Sequence, residues 1–412
     1  MIGEAHDLLR RHQSSGQALL YRLSGELDVE IEASGSWVVG ATGQRYLDLG
    51  SYAVFLLGHG HPRVVAAVAD QVRRLAGSSR ALPAEPTVKA VAALARIAPP
   101  GLSKVMLLNS GAEAVEAAIK LARVSTGRTA MMHLAGSFHG KTTGALSLTD
   151  AEVFRRPFQP LLADVQRLDR TDPAAATEQI SRVRPAAVFA EPVQGEGGVF
   201  DVSGEYLTAV RAACDDAGAL LVYDEVQCGL GRCGTTWAHE GTATPDVLLT
   251  GKALGGGAVP ASALLATPEA YRPYDRDPLL HTSTFGGNPL SAAAVAAVAE
   301  VVVAEDVPGK ALKVGAALRD VLDGLCRDYP QLFTEVSGRG ALLGLHCRRA
   351  DIAGTFLRGC FARRVLVTPC LTAPSVVRLT PSVFLTDDEI ATATAAMRGA
   401  AEHTQLDLGD ED

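Results

Sequence analysis

Three stretches of this chain hold residue types that do chemistry when they are taken out of bulk water. Lys252 stands in Thr250-Gly251-Lys252-Ala253-Leu254-Gly255-Gly256-Gly257. An amine in such an apolar setting is driven toward its neutral, nucleophilic form and suits imine chemistry. Most lysines are solvated, and in isolation that is the plainer reading. The three successive glycines weigh against it, because they let backbone come close to a ligand. Asp224 ends the apolar run Leu220-Leu221-Val222-Tyr223. Its carboxylate therefore sits at the rim of a dry sheet and needs a cation or a donor. The protonated nitrogen of a heterocycle is one such partner. A helix cap and a metal ligand are the others, and no histidine lies near in sequence to complete a metal set.

Asn109-Ser110-Gly111-Ala112-Glu113 joins an apolar run to a helical pattern. Small residues at a helix N-terminus let backbone N–H groups meet an anion, and the helix dipole favours negative charge there. Alone, Ser-Gly before a helix is only a tight turn. Phe138, in Phe138-His139-Gly140-Lys141, offers a ring that could stack on a flat heterocycle, and reads equally well as a core residue.

These groups need a scaffold that brings them together. Short apolar runs at Lys104–Leu108, Ala130–Leu134, Ala186–Ala190, Ala219–Tyr223 and Val247–Thr250 suit strands buried on both faces. Between them lie helical patterns such as Glu113–Arg123 and Glu205–Ala217, the second introduced by Ser203 as an N-cap. The alternation predicts an α/β fold with a mostly parallel central sheet, and ligands collect at the carboxyl ends of such strands. Asn109-Ser110-Gly111, Glu191, Asp224-Glu225 and Gly251-Lys252 all fall at strand ends. From about Asp306 the pattern changes: Pro308-Gly309 breaks a helix, a long helical pattern runs to Tyr329, and the runs Ala341–His346 and Val365–Thr368 follow. We expect a large domain over 51–305 and a smaller α+β domain over 306–412, joined by residues 1–50. Ser36–Leu49 reads as a hairpin turning at Ala41-Thr42-Gly43.

Bulk properties narrow the function classes. The 412 residues carry a net charge of -8, which argues against nucleic-acid or anionic-membrane binding. The N-terminus lacks the apolar core of a secretory signal. The most apolar stretch, Ala292–Ala304, is short and interrupted by Glu300, so a buried helix is expected rather than a membrane span. Seven cysteines without metal-cage spacing suggest reduced thiols, no metal site and a cytoplasmic protein.

In combination, the motifs NSGAEAVEAAIKLAR, SFHGKT, EPVQGEGG, YDEVQCGLGRCG, GKALGGG and TSTFGGNP, in that order, resemble the class III aminotransferases. This is the ornithine and ω-amino acid group of fold type I enzymes that use pyridoxal 5'-phosphate (PLP). The resemblance runs from about Gly43 to Asp388. Within the group, FHGKTTGALSLT, FRRPFQPLL and LHTSTFGGNPL are most similar to the putrescine aminotransferases. The resemblance implies that Lys252 holds PLP as a Schiff base and shuttles the proton, and that Asp224 pairs with the pyridine nitrogen. It implies that Gln227 touches the phenolic oxygen, that Val226 and Phe138 cover the two ring faces, and that His139 and Glu191 belong to the cofactor pocket. Ser110, Gly111 and Ala112 would hold the phosphate, with Thr284 reaching it from the neighbouring subunit of a homodimer. Arg378 would bind the carboxylate of an oxo acid, and Glu196 would pair with it when the substrate brings no carboxylate. Tyr52 would shape the pocket. Lys141 stands where the ornithine enzymes have an arginine; a point charge grips a carboxylate less specifically, which favours a diamine or another amine without one there.

The expected activity is transfer of an amino group from a primary amine, a diamine or ω-amino compound, to an oxo acid such as 2-oxoglutarate or pyruvate. Alternatives are an aminotransferase for an aldehyde or keto intermediate of a specialised metabolite such as an amino sugar, a racemase or decarboxylase of the same fold, and, more remotely, a PLP-binding regulator without catalysis.

Overall fold

The computed structural model describes residues 2–23 and 28–409. At its centre is a seven-stranded sheet. In spatial order its strands are Lys104–Leu108, Ser262–Ala266, Val247–Thr250, Leu220–Asp224, Ala187–Ala190, Met131–Leu134 and Val165–Leu168. Only Ser262–Ala266 runs against the rest, being antiparallel to both its neighbours. All five expected runs are strands.

Alternate residues of the strands feed separate cores on the two faces of the sheet. Met131, Ala187, Phe189, Val222 and Leu249 pack with the helix Gly111–Thr126. Met132, Leu134, Val188, Leu221 and Tyr223 pack with the helices Pro173–Val183 and Gly204–Ala217. This covering of both faces is why the strands read as continuous apolar runs rather than alternating ones.

Ser203 caps Gly204–Ala217 by accepting the Tyr206 N–H at 3.1 Å. The helix Pro289–Ala304 is apolar but for Ser291 and the exposed Glu300, and it is largely buried against the helices Pro62–Arg74 and Glu85–Ile97. Among the described residues no helix is long and apolar enough to cross a membrane.

A second sheet, Phe333–Arg339, Leu342–Cys347, Val376–Leu379 and Thr368–Pro369, is antiparallel. It packs against the helices Val307–Asp328, Ala350–Ala362 and Asp387–Gly409. The hairpin Trp37–Gly40 and Arg45–Asp48 turns at the expected residues, and Arg45–Asp48 pairs in parallel with Val365–Leu366. Three expectations need correction. The run Val365–Thr368 is not one strand: it splits at Val367, giving one piece to the N-terminal hairpin and the other to the second sheet. Two strands of the central sheet, Val165–Leu168 and Ser262–Ala266, went unforeseen. The first is a polar edge strand, and Ser-Ala-Leu-Leu-Ala has no β-branched residue to mark it.

Candidate active site

The carboxyl ends of the central strands open into a cavity of about 490 Å³. Ser110, Gly111, Ala112, Asp224, Val226, Gln227, Lys252, Phe138, His139, Glu191 and Glu196, all singled out by the sequence, line it. The volume falls in the range of small-molecule sites.

Lys252 follows the strand Val247–Thr250 on a short 3₁₀ turn, with φ of 46°. Such left-handed backbone costs a non-glycine residue roughly 1–2 kcal/mol, and it persists where the surroundings fix it. The side chain is half-buried because it opens onto the cavity it lines. Burial lowers the pKa of its amine. The nearby Glu196 acts against that shift, Arg378 assists it, and Asp224 and Glu191 again oppose it. The net effect favours the neutral, nucleophilic amine.

Asp224 is buried at the end of its strand. Its Oδ1 accepts the Val226 N–H at 3.1 Å, and its Oδ2 lies 2.8 Å from His139 Nδ1. No histidine stands near Asp224 in sequence, and the fold supplies one from 85 residues away. His139 is itself positioned by its N–H, which donates to Thr149 Oγ1 at 3.0 Å. Glu225, the neighbouring acid expected at the same strand end, does not face the cavity. It is turned the other way, accepting the N–H groups of Ala238 and His239 and lying 2.6 Å from His239 Nδ1. It anchors the loop after the strand. A one-residue step along a strand reverses the face, so only one of two adjacent acids can reach a given cavity.

The segment expected to cradle an anion stands at the start of a capped helix. Ser110 caps the helix Gly111–Thr126, its Oγ accepting the Glu113 N–H at 3.2 Å, while the Ala114 N–H goes to the Ser110 carbonyl. The N–H groups of Gly111 and Ala112 precede the helix's own bonds. Two glycines keep the cradle open. A Cβ on Gly111 would lie 3.0 Å from Val226 Cγ1, and one on Gly140, whose φ is +127°, would lie 2.8 Å from the Ala112 Cβ.

A second layer of charge lies behind Gln227. Arg378, on the fully buried strand Val376–Leu379, makes an ion pair with Glu196. Glu196 also accepts the Leu371 N–H at 3.0 Å and the Gln227 amide at 3.2 Å. Burial raises the pKa of Glu196, but Arg378, Lys252 and the Leu371 N–H outweigh it and hold the carboxylate below its ordinary range. Glu191 has the opposite fate. It accepts the Phe138 N–H at 2.9 Å and, among the described residues, makes no such ion pair, and burial together with the charge of Asp224 pushes its pKa well up.

Arg378, Lys141 and Tyr52 stand outside the lining of this cavity in the single chain, and Thr284 was expected from a neighbouring subunit. Arg378 lies behind Glu196 rather than in the cavity wall. Lys141 is exposed, with Nζ 4.0 Å over the ring of Phe154. Tyr52 is 57% exposed. Thr284 lines a neighbouring hollow of about 860 Å³, which shares Asn109, Val259 and Pro260 with the cavity. The sequence reading missed the rest of the wall, Val54 and the stretch Gly257 to Ala261. Small and apolar residues of this kind carry no chemical signal; only the glycine run hinted at them.

The donor set fits PLP. A buried carboxylate suits the ring nitrogen, a neutral amine suits the aldehyde, and a helix N-terminus kept open by glycines suits the phosphate. The family model for class III aminotransferases matches residues 25–400. Over 376 residues the chain is 40% identical to the putrescine aminotransferase of Pectobacterium atrosepticum, covering 88% of this chain and 80% of that one. The ornithine aminotransferase of Toxoplasma gondii superposes with a TM-score of 0.89 at 28% identity, over 100% of this chain and 96% of the other. A PLP-bound amine transaminase from an uncultivated Pseudomonas species gives 0.83 at 29% identity, over 92% and 95%. The chain therefore belongs to the class III aminotransferases and is a PLP-dependent transaminase of the fold type I architecture.

Proposed function

We propose that this enzyme moves the amino group of a diamine or ω-amino compound, such as putrescine, to an oxo acid such as 2-oxoglutarate or pyruvate. One observation carries the choice of donor: Arg378 is already neutralised by Glu196, and Lys141 is drawn over Phe154. A donor carboxylate would have to displace Glu196 from a buried ion pair, which a carboxylate-free amine need not do. An oxo acid does bring a carboxylate, and Arg378 becomes available to it when Glu196 swings aside. The 40% identity to a putrescine aminotransferase supports the same reading.

When bound, PLP supplies an electron sink that acidifies the C–H bond beside the transferred nitrogen. Lys252 would hold the cofactor, and its Nζ would take up that proton and give it back. Asp224 holds positive charge at the ring nitrogen, and His139 holds Asp224. Phe138 and Val226 close the two flat sides, and Gln227 donates toward the ring oxygen. The N–H groups of Gly111 and Ala112, with Ser110, bind the phosphate.

The working unit we propose is a homodimer in which Thr284 reaches the phosphate across the interface. Its position in the adjoining hollow, beside exposed Leu82 and Phe285, supports this. The division into a large part, 51–305, and a smaller one from 1–50 and 306–412 is supported by the pairing of Arg45–Asp48 with Val365–Leu366. Seven free thiols support a cytoplasmic setting.

The test is a single-turnover panel. The PLP-loaded enzyme is mixed with putrescine, cadaverine, ornithine, lysine, 4-aminobutyrate and amino sugars, and bleaching of the visible band is followed. The diamines should bleach it at least about tenfold faster than ornithine or lysine, a difference of about 1.4 kcal/mol. Bleaching by the α-amino acids alone would overturn the choice of donor. In parallel, Lys252→Ala should lose both the visible band and turnover; retained turnover would overturn the role of Lys252.

A further inference from the structure

Gln227 lines the cavity, yet both ends of its amide are engaged by the charges behind the wall. Its Nε2 donates to Glu196 Oε1 at 3.2 Å, and its Oε1 accepts from Arg378 Nη1 at 3.4 Å. These partners fix which way the amide faces, because only its NH2 can meet a carboxylate and only its oxygen a guanidinium. The NH2 carries two protons. Glu196 takes one, and the other has no acceptor among the described residues. The amide lies directly on Gly195, where a Cβ would overlap Oε1.

Glu196 has little freedom beyond its side chain. Three successive main-chain carbonyls are held in place. Gly195 accepts from Cys370 Sγ at 3.2 Å and from Arg378 Nη1 at 3.3 Å. Glu196 accepts from the Thr372 hydroxyl at 2.7 Å and the Thr372 N–H at 3.2 Å, and Gly197 from Arg170 Nη1 at 3.2 Å. Glu196 therefore leaves Arg378 by turning its side chain on a fixed main chain. That turn removes the acceptor of one Gln227 N–H. A carboxylate arriving at Arg378 Nη1 also competes for the place of Gln227 Oε1. A buried N–H left without an acceptor is costly, so the amide must re-aim, and the cavity is the side it lines.

We infer that Gln227 relays the state of the Glu196–Arg378 pair to the cofactor: with the pair closed its amide is shared between Glu196 and the ring oxygen, and a carboxylate on Arg378 gives it wholly to the ring oxygen. An acceptor thus strengthens a hydrogen bond at the ring as it binds, which an amine without a carboxylate does not do. The inference rests on the proposed roles of Arg378 and Gln227 and adds the coupling between them. Charge is the rival route. Beyond the effect of burial, Glu196 raises and Arg378 lowers the pKa of Lys252, so the test must separate hydrogen bonding from charge.

The experiment adds glutarate or propionate to the PLP-loaded enzyme. These carry the carboxylates of 2-oxoglutarate and pyruvate without the oxo group and cannot react. Binding is followed by calorimetry, and visible absorbance is recorded at one fixed pH. A probe that binds should change the absorbance with the same saturation constant, and Arg378→Leu should weaken its binding by at least about tenfold. Gln227→Met keeps the ion pair and most of the side-chain volume but lacks the amide. Its probe affinity should stay within about fivefold of wild type while the absorbance change is lost. In Glu196→Ala the amide is already released, so the resting spectrum should match that of probe-saturated wild type, and the probe should alter it no further. Silent binding to wild type would sink the inference. So would an undiminished change in Gln227→Met, which would assign the signal to charge. Binding of neither probe, or binding unaffected by Arg378→Leu, would instead remove Arg378 as the carboxylate site and take the inference with it. If Gln227→Met does not hold the cofactor, Glu196→Ala decides: a resting spectrum equal to that of unliganded wild type overturns the relay.

Discussion

Glu191 and Glu196 flank the short strand Val193–Gln194 and line one cavity, yet their ionisation is pushed in opposite directions. Glu196 has Arg378 beside it and stays charged. Glu191 has a single backbone N–H and the like charge of Asp224, so its neutral form is favoured. The consequence for stability has a definite sign. A carboxyl whose folded pKa is raised contributes stability below its unfolded value, near 4.5, and that contribution is lost as pH rises toward the folded value. Glu191→Gln removes this loss. The variant should therefore melt above wild type by a margin that grows between about pH 5 and pH 8 in thermal scans. A margin flat with pH would mean that Glu191 is ionised in the native enzyme. The resemblance paired Glu196 with Arg378, but the state of Glu191 was not legible, because Asp224, the charge that acts on it, lies far along the chain.

At the scale of elements, the pocket depends on how closely one helix and one loop approach. Gly140, at φ +127°, lies where a Cβ would be 2.8 Å from that of Ala112, in the first turn of the helix Gly111–Thr126. Gly140→Ala should cost about 2–3 kcal/mol of stability by combining a strained φ with a displaced helix start. It should also weaken cofactor binding by at least about tenfold in a titration of the apoenzyme. Ordinary stability with unchanged affinity would show that the loop can move aside. The apolar runs and the Ser203 cap were legible because periodicity and capping are local signals. The strand Ser262–Ala266 was not, since its alanines and leucines suit a helix equally and only the gap between its two neighbours makes it a strand. The split at Val367 was equally hidden, because two different sheets claim the halves of one apolar run.

For the whole molecule, the hollow beside the cavity, with Thr284 and the exposed side chains of Leu82 and Phe285 in its wall, is a surface that a second copy would cover. The protein should sediment as a species of twice its 43.0 kDa, and Phe285→Asp should shift it toward monomer with loss of turnover. A fully active monomer would remove Thr284 from the cofactor site. The sequence by itself determined the chemistry on offer: an amine at Lys252, a carboxylate at Asp224, an anion cradle at Ser110 to Ala112, and the order of strands and helices that carries them to one edge. These are local properties of residue type and period. The tertiary structure alone decided that His139 holds Asp224, that Glu225 turns away, and that Lys141 leans on Phe154. Each of these pairings joins groups that only folding makes neighbours, and electrostatic energy depends on distance in space, not on separation along the chain.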